Sequence, residues 1–317
     1  MAELSLRRHL AQIGEPKSTV GPRIPTDFHV IPPSGRLRDI MKAMRSPKPE
    51  QWTKQDQGVF SNEDWTEECQ GVTHDSSYWY LSSNHEGKQR VYRMSLANDI
   101  VGHVKLAGNG SHHLGDIDYH DGRIYCAMED DPVQIVVIDT PPFTAWWAAA
   151  LVGESGGSPP QDRCAWCAVN PWNGLLYSWN GTQSRYENTL LAYRLDDAGR
   201  RFVHQPAANI VLPEKLLWVQ GAVFSNNGHV FLASNTTNDI RCYSVLNGHY
   251  LGRVPIPKTG SGLWGELNEE VEGLTIWDGI SYDGVATDVH LILLDNDSTN
   301  DDDVYFKHYH VPLSEDL

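Results

Sequence analysis

The sequence predicts an all-β protein, a five-bladed β-propeller with an N-terminal extension that closes or caps the ring. Three observations support this fold. Five similar segments recur along the 317 residues, each segment contains two short strands around a turn, and alternating apolar residues follow each segment. Repeats of about 40 to 50 residues that each hold four strands are typical of propeller blades. A six-bladed ring is the alternative, with one further blade between residues 20 and 65.

The five segments align on one position per repeat, which is glycine four times and cysteine once. In chain order these residues are Gly71, Gly115, Cys167, Gly221 and Gly273. Each segment reads as a strand, a turn rich in glycine, asparagine or aspartate, and a second strand, as in CQGVTHDSSYWYLSSN and VQGAVFSNNGHVFLASNT. Glycine at this position would let the innermost strands of neighbouring blades approach closely near the ring axis.

Alternating apolar residues predict the outer strands, each with one buried face. Third strands are expected in QRVYRMSL, QIVVIDT, NTLLAYRL, IRCYSVL and VYFKHYHV. Fourth strands are clearest in IVGHVKL, RFVHQPAANIVL and YLGRVPI. Little chain follows VYFKHYHV, so the last blade is expected to take its fourth strand from the N-terminal region, around DFHVIP (residues 27–32). Such closure removes free strand edges.

The predicted domain organisation has two parts. Residues 1–50 form an arm or cap with a short helix in GRLRDIMKAMRS, and residues 51–317 form a single propeller domain. The apolar fraction of 40% is sufficient for a sizeable core.

Charge and composition limit the partners and the compartment. The net charge is −16 and no cluster of lysine or arginine stands out, which argues against nucleic acid or an anionic membrane surface as a partner. No apolar stretch approaches the roughly 20 residues that span a bilayer. The N-terminal residues lack a secretion signal, and five cysteines fit reduced thiols. We therefore expect a cytoplasmic protein whose partner is a small-molecule substrate.

The inner strands predict a site at one end of the central channel. Side chains alternate along a strand, so the residues on either side of the repeated position point the same way. The residues before that position are Gln70, Leu114, Trp166, Gln220 and Glu272. Asp116 follows it in the second blade and would lie deeper in the channel, and the pair His112 and His113 begins that blade.

These residue types indicate three roles, namely binding a metal ion, transferring a proton and binding the substrate. Glu272, Gln220 and Gln70 would hold a divalent cation, with Ca²⁺ favoured because carboxylate and amide oxygens suit a hard ion. The same oxygens could bind a sugar or another polyol without any cofactor, or they could simply line a water-filled channel.

The predicted catalytic groups are His113 or His112, together with Asp116, because an imidazole can move a proton near neutral pH. Gln70 and Gln220 would bind the substrate, and Trp166 and Trp179 would stack on it.

One short motif carries a family resemblance. EGLTIW, residues 272–277, resembles the inner-strand motif EGP-x-W of the gluconolactonase and strictosidine-synthase-like propellers. In that family the glutamate is an axial ligand of a catalytic calcium ion. The resemblance thus implies a metal-ligand role for Glu272 and a calcium-dependent hydrolase. Gln70 and Gln220 depart from the family, which usually has asparagine or aspartate at these positions.

The sequence therefore predicts an enzyme that acts on a small polar or cyclic substrate, either a hydrolase of lactones or esters or a lyase. The alternative is a non-catalytic propeller that binds carbohydrate or a protein. The residues before the repeated position differ from blade to blade, and this favours one asymmetric central site over one site per blade.

Overall fold

The computed structural model describes residues 53–60, 63–75, 77–85, 88–106, 113–129, 132–256, 269–276, 286–295 and 302–312. In these ranges the chain is all-β, apart from a short 3₁₀ helix at Pro206–Ala208. The predicted N-terminal arm at residues 1–50 lies outside the described residues, as does its predicted helix. The described residues include no helix with the length and hydrophobicity that crossing a membrane requires.

Three of the sheets are separate and have four strands each. The first sheet consists, in spatial order, of β2 (Cys69–His74), β3 (Tyr78–Ser83), β4 (Arg90–Ser95) and β5 (Ile100–Lys105). The next of these sheets along the chain consists of β15 (Val219–Phe224), β16 (His229–Ser234), β17 (Asp239–Ser244) and β18 (Tyr250–Pro255). The last sheet consists of β19 (Glu269–Ile276), β20 (Ala286–Asp295), β21 (Asp303–Pro312) and β1 (Thr53–Phe60).

In the sequence, a nine-stranded sheet lies between the sheet that begins with β2 and the sheet that begins with β15. It contains two groups of four strands each. The second group consists of β6 (Leu114–His120), β7 (Arg123–Met128), β8 (Gln134–Asp139) and β9 (Trp146–Val152). The third group consists of β10 (Cys167–Val169), β11 (Leu176–Ser178), β12 (Glu187–Asp196) and β13 (Arg201–His204). The outer strands β9 and β13 pair in parallel and join the groups, and β14 (Ile210–Leu216) pairs with β12.

Two details of the predicted strands need correction. The stretch RFVHQPAANIVL is not one fourth strand, because β13 ends at His204 and β14 begins at Ile210. Pro206 lies between them, and proline lacks the N–H that a continuous strand pairing would need. The last sheet does take its fourth strand from the N-terminal side, but the strand that pairs with β21 is β1. The stretch DFHVIP lies outside the described residues.

The sheets follow one another around a ring. The first strands β2, β6, β10, β15 and β19 contact one another in this order, and β19 also contacts β2. Within the described ranges an apolar cluster lies between each sheet or group and the next. Another cluster joins the last sheet to the first, where Ile292 and Leu294 pack with Val72 and Leu81. The described part of the chain therefore has a β-propeller-like all-β fold.

The repeated glycines lie where the first strands approach most closely. A Cβ atom on Gly115 would lie 2.0 Å from the carbonyl oxygen of Ala165. A Cβ atom on Gly273 would lie 2.5 Å from the Cα atom of Gly71, and one on Gly221 would lie 2.5 Å from the carbonyl oxygen of Glu272. The predicted reason for glycine at these positions, close approach of neighbouring backbones, is confirmed.

We predict that Gly115→Ala destabilises the fold by about 1–3 kcal/mol or more, because the added methyl group would meet backbone atoms that cannot rotate away. Gly157→Ala is the matched control, since no atom lies within 4 Å of a Cβ atom at Gly157. Urea unfolding of both variants measures the difference. Equal stabilities would show that the strands have room to separate.

Candidate functional site

Asp116 lies at the centre of the ring of first strands and is fully buried. Its Oδ1 atom accepts hydrogen bonds from the backbone N–H groups of Val72 (3.2 Å) and Ile117 (2.9 Å). Its Oδ2 atom accepts hydrogen bonds from the backbone N–H groups of Ala222 (3.3 Å) and Leu274 (3.2 Å). One carboxylate therefore connects β2, β6, β15 and β19.

These four bonds give Asp116 a structural role. Each carboxylate oxygen accepts two N–H groups, which uses the acceptor sites that a carboxylate offers. Burial raises the pKa of the Asp116 carboxyl well above its usual value, and the four N–H donors oppose this rise. The catalytic role predicted for Asp116 stays a prediction.

The side chains of Glu272 and Gln220, which occupy equivalent positions in two repeats, contact each other. The Nε2 group of Gln220 donates to both carboxylate oxygens of Glu272, at 3.4 and 3.2 Å. Glu272 is buried and Gln220 is half-buried. The Glu272 carboxyl also shares a hydrogen bond with the half-buried side chain of Glu270. Burial raises the pKa of Glu272 well above its usual value, and the neighbouring charge of Glu270 raises it further.

Gln70 and His113 form a second pair on the first and second blades. The Nε2 atom of His113 lies 2.9 Å from Oε1 of Gln70, and its Nδ1 atom lies 3.1 Å from the amide nitrogen of Asn84. Because the Asn84 amide can only donate through this nitrogen, we assign the neutral tautomer of His113 with its proton on Nε2. The His113 ring is thus fixed by hydrogen bonds on both sides.

Glu68 connects the two pairs. Its Oε2 atom accepts a hydrogen bond from Nε2 of Gln70 at 3.5 Å, and its charge contributes to the raised pKa of Glu272. The backbone N–H of Glu68 donates to the carboxylate of Asp302, the residue before β21, at 2.8 Å. The structure thus brings four predicted side chains into one connected polar cluster. We define this polar cluster as Glu68, Gln70, His113, Gln220, Glu270 and Glu272.

The other predicted site residues lie elsewhere. Trp166 and Trp179 are fully buried in the apolar cluster between the third group and the sheet that begins with β15. Their indole Nε1 atoms have no hydrogen-bond partner among the described residues. Stacking of these rings on a substrate stays a prediction, since neither ring has an exposed face here. His112 lies outside the described residues.

The calcium ion predicted at this place stays a prediction. Within the ranges that the structure describes, no group of three or more His, Cys, Asp or Glu side chains is placed to hold a metal. Gln220 turns its N–H₂ group toward Glu272, and Glu272 shares a hydrogen bond with another carboxyl group. A ligand of Ca²⁺ would instead present an amide or carboxylate oxygen to the ion. We therefore derive no step through a metal.

Three residues of this region were missed from the sequence. Glu270 stands two positions before Glu272 in β19, so strand alternation places the two on the same side, and extending the alternation by one step would have found Glu270. Glu68 lies just before β2 with a positive φ of 49°, so alternation does not predict its position. No comparable signal identifies Asn84, because its contact with His113 depends on the packing of two blades.

No family model matches the chain, and no curated protein matches it in sequence. The gluconolactonase-like assignment therefore has no support from sequence comparison. Among solved structures, the chain is similar to the glutaminyl cyclase of Myxococcus xanthus, with a TM-score of 0.58, 10% sequence identity, and coverage of 83% of this chain and 97% of that chain.

The chain is also similar to a tail fibre of Staphylococcus aureus phage P68, with a TM-score of 0.50 and 12% identity. That match covers 89% of this chain and 55% of the tail-fibre chain, so this chain spans about half the length of the tail fibre. At these identities both similarities concern the fold alone.

We predict that Asp116→Asn destabilises the protein by about 3 kcal/mol or more. The amide replaces one acceptor oxygen by a donor, so two buried N–H groups lose their partner. Asp121→Asn removes the same charge in an exposed turn and should change stability by about 0.5 kcal/mol or less. Chemical denaturation of both variants measures the free energy of unfolding. Similar losses of stability in the two variants would argue against a special role for the Asp116 carboxylate.

We predict that wild-type stability falls as the pH rises above the unfolded pKa of Glu272. The folded state keeps this proton to higher pH than the unfolded state, so it binds more protons in that range and rising pH favours unfolding. Glu272→Gln removes this contribution and should flatten the curve by up to about 1.4 kcal/mol per pH unit. Unfolding free energies measured from pH 5 to 8 test this, and parallel curves would contradict it.

Proposed function

We propose that this chain is an enzyme on a five-bladed propeller, with its N-terminal region as an arm or cap, and that the polar cluster is its active site. The observation that carries this proposal is the close pair formed by the buried carboxyl group of Glu272 and the half-buried carboxyl group of Glu270. Burial and the neighbouring charge of Glu270 both favour the neutral form of the Glu272 carboxyl group and raise its pKa. A carboxyl group whose pKa is raised in this way can act as a general acid.

The members of the cluster take different roles in this proposal. Glu272 is buried and acts as the protonated acid of the pair, while the half-buried Glu270 acts as the carboxylate that accepts a proton. Gln220 holds the Glu272 carboxyl in place through two hydrogen bonds. The fixed pair of Gln70 and His113 positions the substrate from the first and second blades.

The carboxyl pair supports hydrolysis or elimination on a small polar or cyclic substrate. In hydrolysis of a lactone or ester, a carboxylate accepts a proton from water as the oxygen–carbon bond forms. The protonated carboxyl group then gives its proton to the leaving alkoxide as the carbon–oxygen bond breaks. In an elimination the carboxylate removes a proton from carbon and the carboxyl group protonates the leaving group. Each case needs one charged and one neutral carboxyl group, which the carboxylate of Glu270 and the protonated Glu272 would provide.

Cyclisation of a glutaminyl group is a second candidate of the same acid–base type. The similarity to a glutaminyl cyclase, which extends over 97% of that chain, favours including it. In this reaction a free amine attacks the side-chain amide carbonyl, and a carbon–nitrogen bond forms as the amine loses a proton. The amide carbon–nitrogen bond breaks, and the leaving group departs as ammonia after receiving a proton. The carboxyl pair could supply both proton transfers.

We predict that Glu270→Gln and Glu272→Gln each lower kcat by about 100-fold or more, because each removes a proton-transfer group. The substrates to test are glutamine-initiated peptides, lactones and simple esters. Glu154→Gln, an exposed glutamate after β9, makes the same chemical change far from the cluster and should leave kcat unchanged. Assays with and without a chelator show whether turnover needs a metal.

The outcomes separate the candidate functions. Turnover that survives in both variants would falsify the carboxyl mechanism. Binding of carbohydrate or protein without turnover of any substrate would favour the non-catalytic alternative. Loss of turnover on adding the chelator would return the calcium-dependent hydrolase to first place.

A further inference from the structure

A second polar site lies on the first sheet, apart from the residues of the polar cluster. It is a surface pocket lined by Asp64, His85, Lys88, Arg90 and Tyr92. Arg90 and Lys88 are cationic and His85 can become so, in a chain whose net charge is −16. A group of positively charged side chains on a negatively charged protein marks a place where an anion could bind.

Arg90 has hydrogen-bonding capacity that the protein does not use. Its Nη1 group donates to the hydroxyl of Tyr92 at 3.0 Å and lies 3.5 Å from the Asp64 carboxylate. The Asp64 side chain is 88% exposed, so water screens this ion pair. The Nε atom of Arg90 is buried and has no partner among the described residues. A guanidinium offers five donors in a planar fork that matches an oxyanion.

The pocket opens at the same end of the fold as the polar cluster. Nδ1 of His85 lies 3.3 Å from the Glu67 carboxylate, which also accepts the backbone N–H of Asp302 at 3.2 Å. Asn84, the residue before His85, holds the His113 ring of the cluster. The segment between β3 and β4 therefore contributes residues to the pocket and a contact to the polar cluster.

We propose that this pocket binds an oxyanion group of a small molecule, either a carboxylate or a phosphate. Arg90 would donate from its guanidinium fork, and the exposed ammonium of Lys88 would approach the same oxygens. The hydroxyl of Tyr92 keeps the Arg90 side chain oriented toward the pocket. This binding site is independent of the acid–base function proposed above.

The test measures binding of inorganic phosphate and of acetate by calorimetry, with chloride at matched ionic strength as the reference. We expect the wild-type protein to bind one or both oxyanions. Lys88→Gln and Arg90→Gln should each raise the dissociation constant about tenfold or more, because each removes charge-assisted hydrogen bonds. Arg194→Gln, an exposed arginine on β12, changes the net charge equally and should bind as the wild type does.

Each outcome decides the proposal. Binding of phosphate alone identifies a phosphate group as the ligand chemistry, and binding of acetate as well identifies a carboxylate. No binding of either anion overturns the proposal, and so does binding that is unchanged in both Lys88→Gln and Arg90→Gln. The Glu272→Gln variant should bind phosphate as the wild type does. The binding result therefore does not depend on whether the catalytic proposal is correct.

Discussion

The structure depends on one carboxylate, that of Asp116, which accepts hydrogen bonds from backbone N–H groups of four inner strands. The first strand of each blade has a neighbour on only one side in its own sheet, so some of its N–H groups point toward the axis without a sheet partner. Asp116 accepts these groups from Val72, Ala222 and Leu274, which each follow a repeated glycine. The bonds require the strands to converge, and convergence leaves no space for a Cβ atom at the glycines. The repeated glycine and the single aspartate are therefore two parts of one arrangement.

The blade that lacks the glycine is held differently. Cys167 occupies the repeated position in β10, and the backbone N–H of Val169 in this strand donates to Asp118 at 2.7 Å. Burial raises the pKa of Asp118 to about 7, and the Val169 N–H opposes that rise. Asp118 thus has the same sign of pH dependence as Glu272, since both keep their proton to higher pH in the folded state. These two buried acids therefore contribute stability that is present at mildly acidic pH and is lost as the pH rises through their folded pKa values.

The sequence predicts those features that depend on local pattern. Alternation of apolar residues identifies most of the strands, and the spacing of the repeat places Gln70, Gln220 and Glu272 at equivalent positions in their blades. The bonds of Asp116 could not be read in this way, because its partners Ala222 and Leu274 are 106 and 158 residues away in the chain. The same holds for Asn84 and His113, which meet across two blades. Local pattern also failed at Pro206, where one expected strand becomes two.

Acidic and cationic side chains form two separate groups in this part of the molecule. Glu68, Glu270 and Glu272 concentrate carboxyl groups where the first and last sheets meet, and burial prevents solvent from screening them fully. An anionic ligand near these groups is disfavoured unless cations compensate for them. Arg90 and Lys88 provide that compensation on the outer side of the first sheet. The acidic cluster and the cationic pocket would therefore favour ligand groups of different charge.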